Sequence, residues 1–479
     1  MEPARPEWIA ARPYAYWLVV ATVSVGAFMG QLDASIVSLA LPTLRLDFHA
    51  SIGAVEWVAL AYLLTLVSAV VAVGRFADMV GRKLLYTYGF GVFIIGSALC
   101  GLAPGLDWLI AARILQAIGA AMLQANSVAL IVQAMPEGKL GRGIGAQGAA
   151  QAIGLAVGPA VGGLLITLGG WRLIFFVSVP AGALGMLLGW FLLPRSRQLS
   201  PREPFDWLGL LLFVPAVAAP LVLVSIGADL AWNAAFVVGL LVIGALSLTL
   251  FFLRQNHIRF PMIPPALFRN VAFTAGIASG LLSYLALFGV LFIVPFYLED
   301  RRGLSPATAG LELAVLPVAL GLVAPVAGRV ADRIGARLMT VGGMLAVAAG
   351  LIGLAILRRP EAVLLIELAV IGAGIGAFTP ANNAGIMARA PRSHSGLAGG
   401  ILNMTRGIGT SLGVALTGLV FTLVGGFGAA GIRLGENLAL TRGFVGAMAF
   451  LTGVALLAAV LAGMRGDAGA DGPGGVAGR

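Results

Sequence analysis

The chain has 479 residues, of which 59% are hydrophobic and only 10% are charged. A soluble domain carries about 25% charged residues, so this chain is too poor in charge to cover a water-facing surface. Its apolar runs last about 20 residues or more without period-2 alternation, and backbone polar groups in lipid must be satisfied within the chain. The composition therefore predicts an all-α membrane protein.

The basic residues, the cysteine and the histidines argue against several function classes. The formal net charge is +10, but arginine and lysine stand singly or in small groups without a basic face, so no nucleic-acid partner is expected. Cys100 is the single cysteine, which excludes an internal disulfide. His49, His257 and His394 fall in predicted loops. No metal site, cofactor or enzyme active site is therefore predicted at membrane depth.

Fourteen membrane spans are predicted by a hydropathy window of about 19 residues. In chain order they are 14–41, 54–73, 84–104, 107–135, 143–168, 172–193, 207–228, 232–253, 271–298, 306–328, 338–357, 361–388, 397–425 and 443–463. An even number puts both termini on one side. With cytoplasmic termini, 20 of the 30 basic residues fall in inner segments and 8 in outer segments. The positive-inside rule therefore predicts a multi-pass membrane protein with cytoplasmic termini.

An internal repeat divides the spans into two halves. The loop after span 2, GRFADMVGRK at 74–83, recurs after span 10 as GRVADRIGAR at 328–337, at an offset of 254 residues. Both loops lie on the same side, so the halves run parallel. We expect an N-terminal six-helix bundle (1–193), two inserted helices with flanking cytoplasmic loops (194–270), a C-terminal six-helix bundle (271–463) and a disordered cytoplasmic tail (464–479).

Four stretches of the first half carry a family resemblance. They are LDASIVSLALP at 32–42, the loop at 74–83, RILQAIG at 113–119 and GLAVGPAVGG at 154–163. In order and spacing they resemble the signatures of the major facilitator superfamily, and within it the fourteen-helix bacterial drug:proton antiporter family. The resemblance implies the major facilitator fold, with two six-helix bundles related by a parallel pseudo-two-fold axis. It also implies a location in the bacterial cytoplasmic (inner) membrane and transport driven by the proton motive force, with no cofactor. We expect the protein to be a monomer.

Asp33 is the main candidate for proton coupling. It lies about 20 residues into span 1, where a charged carboxylate costs roughly 2.5–3.5 kcal/mol, so the protonated form is favoured. Arg113 in span 4 is its expected ion-pair partner. The alternative is that this pair only pins spans 1 and 4 together. The offset of 254 carries Arg113 onto Glu367 in span 12, which makes Glu367 a third candidate.

Five further polar residues are candidates for lining a substrate cavity. They are Glu56, Gln124, Asn126, Glu312 and Arg406. Acids around a central cavity would favour cationic, lipophilic cargo, because opposite charge offsets desolvation. In the alternative reading, Glu56 and Glu312 extend to the outer interface and bind nothing.

Two groups of residues are predicted to gate a conformational change. One is Gly74, Arg75, Asp78, Gly81, Arg82 and Lys83 in the first repeat loop, with Asp332 in the second. Glycine permits a tight turn there, and aspartate can cap a neighbouring helix. The other group is Gly154, Gly158, Pro159 and Gly162 in span 5, where small residues allow close packing and proline a kink. The alternatives are a purely topogenic loop and a helix contact without gating.

The function predicted from these features is proton-coupled antiport that exports small, lipophilic compounds by alternating access, with cationic cargo as one version. The partners are then the lipid bilayer, protons and a small-molecule substrate. A symporter or uniporter on the same fold remains an alternative. From another class, a channel or a lipid scramblase also remains open.

Overall fold

The computed structural model describes residues 6, 12–136, 140–195, 206–226, 234–258, 268–356, 360–389, 395–425 and 436–464. Its long helices are α1 (Ala15–Asp47), α2 (Ile52–Val80), α3 (Arg82–Gly101), α4 (Leu106–Ala134), α5 (Leu140–Gly169), α6 (Arg172–Phe176 and Ser178–Leu192), α7 (Trp207–Ile226), α8 (Ala234–His257), α9 (Val271–Phe296, continued by a π-helical turn Tyr297–Arg301), α10 (Pro306–Ile334), α11 (Ala336–Ala355), α12 (Glu361–Arg389), α13 (Ser395–Gly425) and α14 (Glu436–Gly463). These described residues contain no β-strand. The predicted tail lies outside them from residue 465 onward.

The fourteen helices match the predicted spans. Thirteen are long and apolar enough to cross a membrane. In the remaining helix, α7, the apolar stretch Trp207–Pro220 is shorter, and the helix carries Pro215 and Pro220. The prediction of an all-α membrane fold with fourteen helices is confirmed. We call the side at which α1 begins and α14 ends the terminal side, and the opposite side the distal side.

Helix packing follows the repeat. In the first half α1 packs on α5, α2 and α3 pack on α4, and α3 packs on α6. The same pairings recur in the second half with every helix number raised by eight, so that α9 packs on α13 and α11 on α14. The halves meet where α5 contacts α10 and where α2 contacts α13. Two equivalent helix groups therefore face each other across the molecule.

The inserted helices α7 and α8 form a hairpin that leans on α2 and α13. Asp206, just before α7, connects the two helices of this hairpin at its terminal-side end. Its carboxylate accepts from Arg254 Nε at 2.6 Å, from Gln255 Nε2 at 2.9 Å and from the Gly209 N–H at 2.8 Å. This buried carboxylate holds α7 and α8 in register without reaching the centre of the molecule.

The second glycine of each repeat loop is the whole connection between two helices. Gly81 joins α2 to α3 with φ 124°, and Gly335 joins α10 to α11 with φ 93°. Each N–H closes the preceding helix, on Ala77 O at 2.8 Å and on Ala331 O at 3.0 Å. A residue with a Cβ is strained at such φ values, so the repeat conserves a turn that requires glycine.

Gly81→Ala and Gly335→Ala are each expected to lower the free energy of unfolding by about 1–3 kcal/mol, because alanine is strained at positive φ. The apparent midpoint of thermal unfolding of the purified protein measures the loss. Gly342→Ala is the matched control, since this α11 glycine has open space around its Cβ position. Equal midpoints for Gly81→Ala and Gly342→Ala would contradict the strain argument.

Candidate functional site

A buried ion pair joins α1 to α4. Arg113 Nη1 lies 2.7 Å from Asp33 Oδ2, and each side chain is only 1% exposed. Arg113 Nε donates to Val58 O of α2 at 3.0 Å, and its guanidinium carbon lies 4.1 Å from the ring centre of Tyr62. The expected pairing of Asp33 with Arg113 is confirmed. Its role in proton coupling stays a prediction.

Gln116 completes the cluster and was not singled out from the sequence. Its Nε2 donates to Asp33 Oδ1 at 2.8 Å, and its Oε1 accepts from Arg113 Nη1 at 2.6 Å. Nε2 also lies 3.3 Å from Ser97 Oγ, which itself donates to Phe175 O at 2.8 Å. The spacing of Gln116 from Arg113, one helical turn, was the available signal. Both oxygens of the carboxylate accept a hydrogen bond, which is the condition for a tolerable buried charge.

Close approach of α3 and α4 creates this geometry. A Cβ added at Gly96 would meet the backbone of Gln116, and one added at Gly119 would meet the backbone of Phe93. Two glycines therefore let the helix backbones touch, and they bring Ser97 and Gln116 within hydrogen-bond distance.

Among the described residues of the second half, no ion pair occupies the equivalent position. Gly96 of α3 packs on Gln116 of α4, and its repeat partner Gly350 of α11 packs on Ile371 of α12. Gln116 and Ile371 are therefore equivalent, and α12 is offset from α4 by 255 residues and not by 254. Arg113 therefore corresponds to Leu368, which is fully buried, and not to Glu367. The expected repeat relation between Arg113 and Glu367 was wrong by one residue.

Glu367 lies between α11 and α12. A Cβ at Gly353 would meet its carboxylate, and the side chain is 9% exposed. Gly409 of α13 packs on Leu281 O of α9, as Gly154 of α5 packs on Phe28 O of α1, so α9 is offset from α1 by 253 residues. This offset puts the buried Ala286 in the position of Asp33. The described equivalents of Asp33 and Arg113 are thus the apolar residues Ala286 and Leu368, which cannot form an ion pair.

A central cavity lies between the two helix groups. Its empty space is about 730 Å³, a volume that includes the solvent at its open end. Its polar lining consists of Gln31, Tyr62, Gln124, Ser127, Gln147, Gln151, Arg406 and Thr410, and Phe93 and Phe288 add aromatic surface. Gln124 and Arg406, two of the five cavity candidates, therefore both line this cavity. Tyr62 is the link to the ion pair, because its ring faces Arg113 and also lines the cavity.

The other cavity candidates lie elsewhere. Asn126 Nδ2 donates to Met122 O of its own helix at 2.8 Å. Glu56 lies against Gly418 of α13, and Glu312 Oε2 lies 3.5 Å from Arg302 Nη1. No carboxylate lines the cavity within the described ranges. The expected acidic surroundings for a cationic cargo are therefore absent from the lining, because Glu56 faces α13 and Glu312 faces Arg302.

The loop residues predicted to gate are described only in part. A Cβ added at Gly74 would lie 3.7 Å from the Cβ of Ala125 in α4. Gly81 forms the turn with positive φ. Arg82 is half-buried and Lys83 is 1% exposed at the start of α3. The side chains of Arg75, Asp78 and Asp332 lie outside the described part of the structure, so the expected aspartate contact stays a prediction.

The glycine-rich helix α5 packs closely on two sides. Cβ atoms at Gly154, Gly158 and Gly162 would meet Phe28, Ser35 and Ile36 of α1. On its other side, α5 touches α10 of the second half. A Cβ at Gly163 would meet the carbonyl oxygen of Pro306, and one at Gly310 would meet that of Pro159. Close packing of these residues is therefore observed, both within the first half and across the two halves.

The distal side is held shut by such contacts between the halves. Besides the α5–α10 contact, Arg45 Nη2 at the end of α1 lies 2.9 Å from Asp300 Oδ2 at the end of α9. Gln124, Ser127, Gln147 and Gln151 of the cavity all lie in the terminal-side half of their helices. The cavity therefore extends from the middle of the molecule toward the terminal side.

Comparison with known proteins gives one consistent family. The family model described as Major Facilitator Superfamily matches residues 23–281 and 276–475. The riboflavin transporter RibZ of Clostridioides difficile is 34% identical over 83% of this chain and 87% of its own. The multidrug resistance protein Stp of Mycobacterium tuberculosis is 34% identical over 84% and 75%. The tetracenomycin C resistance and export protein of Streptomyces glaucescens is 31% identical over 84% and 76%.

A solved structure shares the fold. The crystal structure of a bacterial homologue of the human lysosomal transporter Spinster, in an inward-facing and unoccupied conformation, superposes with a TM-score of 0.66. The match covers 94% of this chain and 98% of that chain at 16% sequence identity. At this identity the likeness concerns the fold alone.

Proposed function

The chain belongs to the major facilitator superfamily, and from that premise we propose that it is a proton-coupled antiporter that exports small, lipophilic compounds by alternating access. Its relatives are membrane transporters, so the chain is a transporter and not an enzyme whether or not this proposal is correct. What we propose beyond this is the coupling to protons, the direction of transport and the class of cargo.

The buried cluster around Asp33 carries the proposal. In its charged form Asp33 balances Arg113 and accepts from Gln116. A proton on the carboxylate removes the negative charge and leaves the guanidinium without its counter-ion at membrane depth, which is costly. The protonation state of one residue therefore changes the preferred arrangement of α1, α2 and α4. Tyr62 transmits such a change to the cavity, since its ring touches both.

Alternating access supplies the second half of the mechanism. The distal contacts between α5 and α10 and between Arg45 and Asp300 must break for the cavity to open on that side. We take the terminal side as cytoplasmic, in a bacterial cytoplasmic membrane, and the protein as a monomer. With this orientation the cavity takes up cargo from the cytoplasm and releases it after the two bundles, residues 1–193 and 271–463, have rocked against each other.

The sign of the proton coupling is the decisive measurement. Purified protein in liposomes with an acidic lumen is expected to accumulate externally added dye, because protons leaving the lumen drive the dye inward. One pH unit and one proton per molecule support up to about tenfold accumulation. Riboflavin, fluorescein and rhodamine 123 serve as probes, and protein-free liposomes and nigericin, which collapses the gradient, serve as controls.

Each rival function gives a different result in this assay. A symporter accumulates dye only with an alkaline lumen, and a uniporter, channel or scramblase equilibrates dye regardless of the gradient. The proposal is contradicted if dye accumulates only with an alkaline lumen, or if dye uptake does not depend on the gradient. It is also contradicted if none of the three dyes accumulates.

A further inference from the structure

Arg406 is a cation inside the central cavity. It lies in the middle of α13, where it is half-buried and lines the cavity with Gly407 and Thr410. Its Nη1 donates to Gln151 Oε1 of α5 at 3.0 Å, and its guanidinium carbon lies 5.0 Å from the ring centre of Tyr284 of α9. An amide oxygen and an aromatic face orient this guanidinium, and neither carries a charge that neutralises it.

The charge of Arg406 is not balanced within the described residues. No carboxylate there lies within 4 Å of its guanidinium, and none lines the cavity. Asp33 is already neutralised by Arg113, and it is not among the residues that line the cavity. A cation removed from bulk water without a counter-ion is costly, and a ligand that brings a negative charge offsets that cost. A cationic ligand would increase it.

The rest of the lining fits an acceptor-rich, flat molecule. Gln31, Gln124 and Gln147 add amide groups that can donate as well as accept hydrogen bonds. Phe93 and Phe288 add apolar ring surface. Ligand sites commonly combine a largely apolar wall with a few polar groups that set orientation and specificity.

We propose that the central cavity recognises organic anions with a flat, apolar body, and that Arg406 binds their negative group. This names the substrate class of the transporter and rests on the proposed function above. Arg406 presents five N–H donors in a fork that matches carboxylate and phenolate oxygens. Because its bond to Gln151 joins α13 to α5, an anion that takes over the guanidinium also loosens a contact between the two halves.

Two dyes on the same xanthene core separate charge from shape. Fluorescein is an anion and rhodamine 123 a cation at pH 8, and fluorescence anisotropy reports binding of either to the purified full-length protein. Wild type is expected to bind fluorescein at least tenfold more tightly than rhodamine 123. Arg406→Gln is expected to weaken fluorescein binding roughly 10- to 100-fold, the effect of losing a hydrogen bond to a charged group, and not to weaken rhodamine 123 binding.

Further variants control for charge and folding. Arg406→Lys keeps the charge without the fork and should give an intermediate fluorescein affinity. Arg301→Gln removes a positive charge from the exposed distal end, away from the cavity, and should leave both affinities unchanged. The proposal is overturned by equal affinity for the two dyes, by preference for rhodamine 123, by no binding of fluorescein, or by a fluorescein affinity that Arg406→Gln leaves within twofold. Binding needs no proton gradient, so this outcome is independent of the liposome assay, whose failure would overturn antiport alone.

Discussion

Asp33→Asn is expected to abolish proton-driven accumulation of dye in liposomes. Asparagine cannot take up and release a proton, so the cycle loses the group whose charge changes. The variant also leaves Arg113 as a buried cation without its counter-ion, which is expected to lower stability by about 3–5 kcal/mol. The liposome assay with an acidic lumen measures the first effect, and the thermal unfolding midpoint measures the second.

The double variant Asp33→Asn/Arg113→Gln separates the carrier from the structural pin. With no charge left in the pair, stability should recover in large part, because the penalty of the single variant comes from the unpaired guanidinium. Coupled transport should stay absent if Asp33 carries the proton. Return of coupled transport together with stability would mean that the pair only fastens α1 to α4.

Asp206→Asn is the matched control for this experiment. Asp206 is another buried, arginine-paired aspartate, 2.6 Å from Arg254 Nε, but it lies on the α7–α8 hairpin. Its loss should reduce stability and leave the dependence on the proton gradient intact. If Asp206→Asn uncouples transport as completely as Asp33→Asn does, destabilisation alone explains both results.

Gly310→Ala is expected to hinder closure of the distal side. The added Cβ would meet the carbonyl oxygen of Pro159, a backbone atom that cannot move without moving α5. Overpacking of this kind costs about 1–3 kcal/mol. Since the contact exists only when the halves meet on that side, the cost shifts the conformational equilibrium about 5- to 150-fold toward a distally open state. Dye turnover should fall accordingly.

Cysteine labelling measures this shift directly. The one native cysteine, Cys100, is fully buried, so a cysteine introduced as Ala27→Cys in the cavity wall reports access with an impermeant maleimide. Gly310→Ala should raise labelling from the distal side and lower it from the terminal side. Gly321→Ala, on the same helix with open space at its Cβ position, should change neither. Unchanged labelling ratios in Gly310→Ala would mean that the α5–α10 contact does not control access.

Local sequence properties predicted much of this architecture. Hydropathy is a property of one span at a time, so the fourteen helices followed from the hydropathy profile of the sequence. The turn at Gly81 and its copy at Gly335 followed from the loop repeat, because a positive φ depends on neighbouring residues only. The pairing of Asp33 with Arg113 was also predicted, since opposite charges at membrane depth in one bundle have few other partners.

Contacts between helices were beyond such reasoning. A shift of one residue turns a side chain by about 100° around a helix axis, so the offset of 255 in α12 was enough to put Leu368 in the position expected for Glu367. Gln116 was a residue of a recognised motif, but only the approach of α3 to α4 shows that it shares the carboxylate of Asp33.

The composition of the cavity was hidden for the same reason. The sequence identified the polar candidates at membrane depth. Several of them are acids, which led to the expectation that acids surround the cargo. Only the packing of the helices shows that Glu56 faces α13 and Glu312 faces Arg302, while Arg406 faces the cavity. Which charge meets a ligand depends on how each helix is rotated against its neighbours. That rotation is set by contacts between residues far apart in the chain.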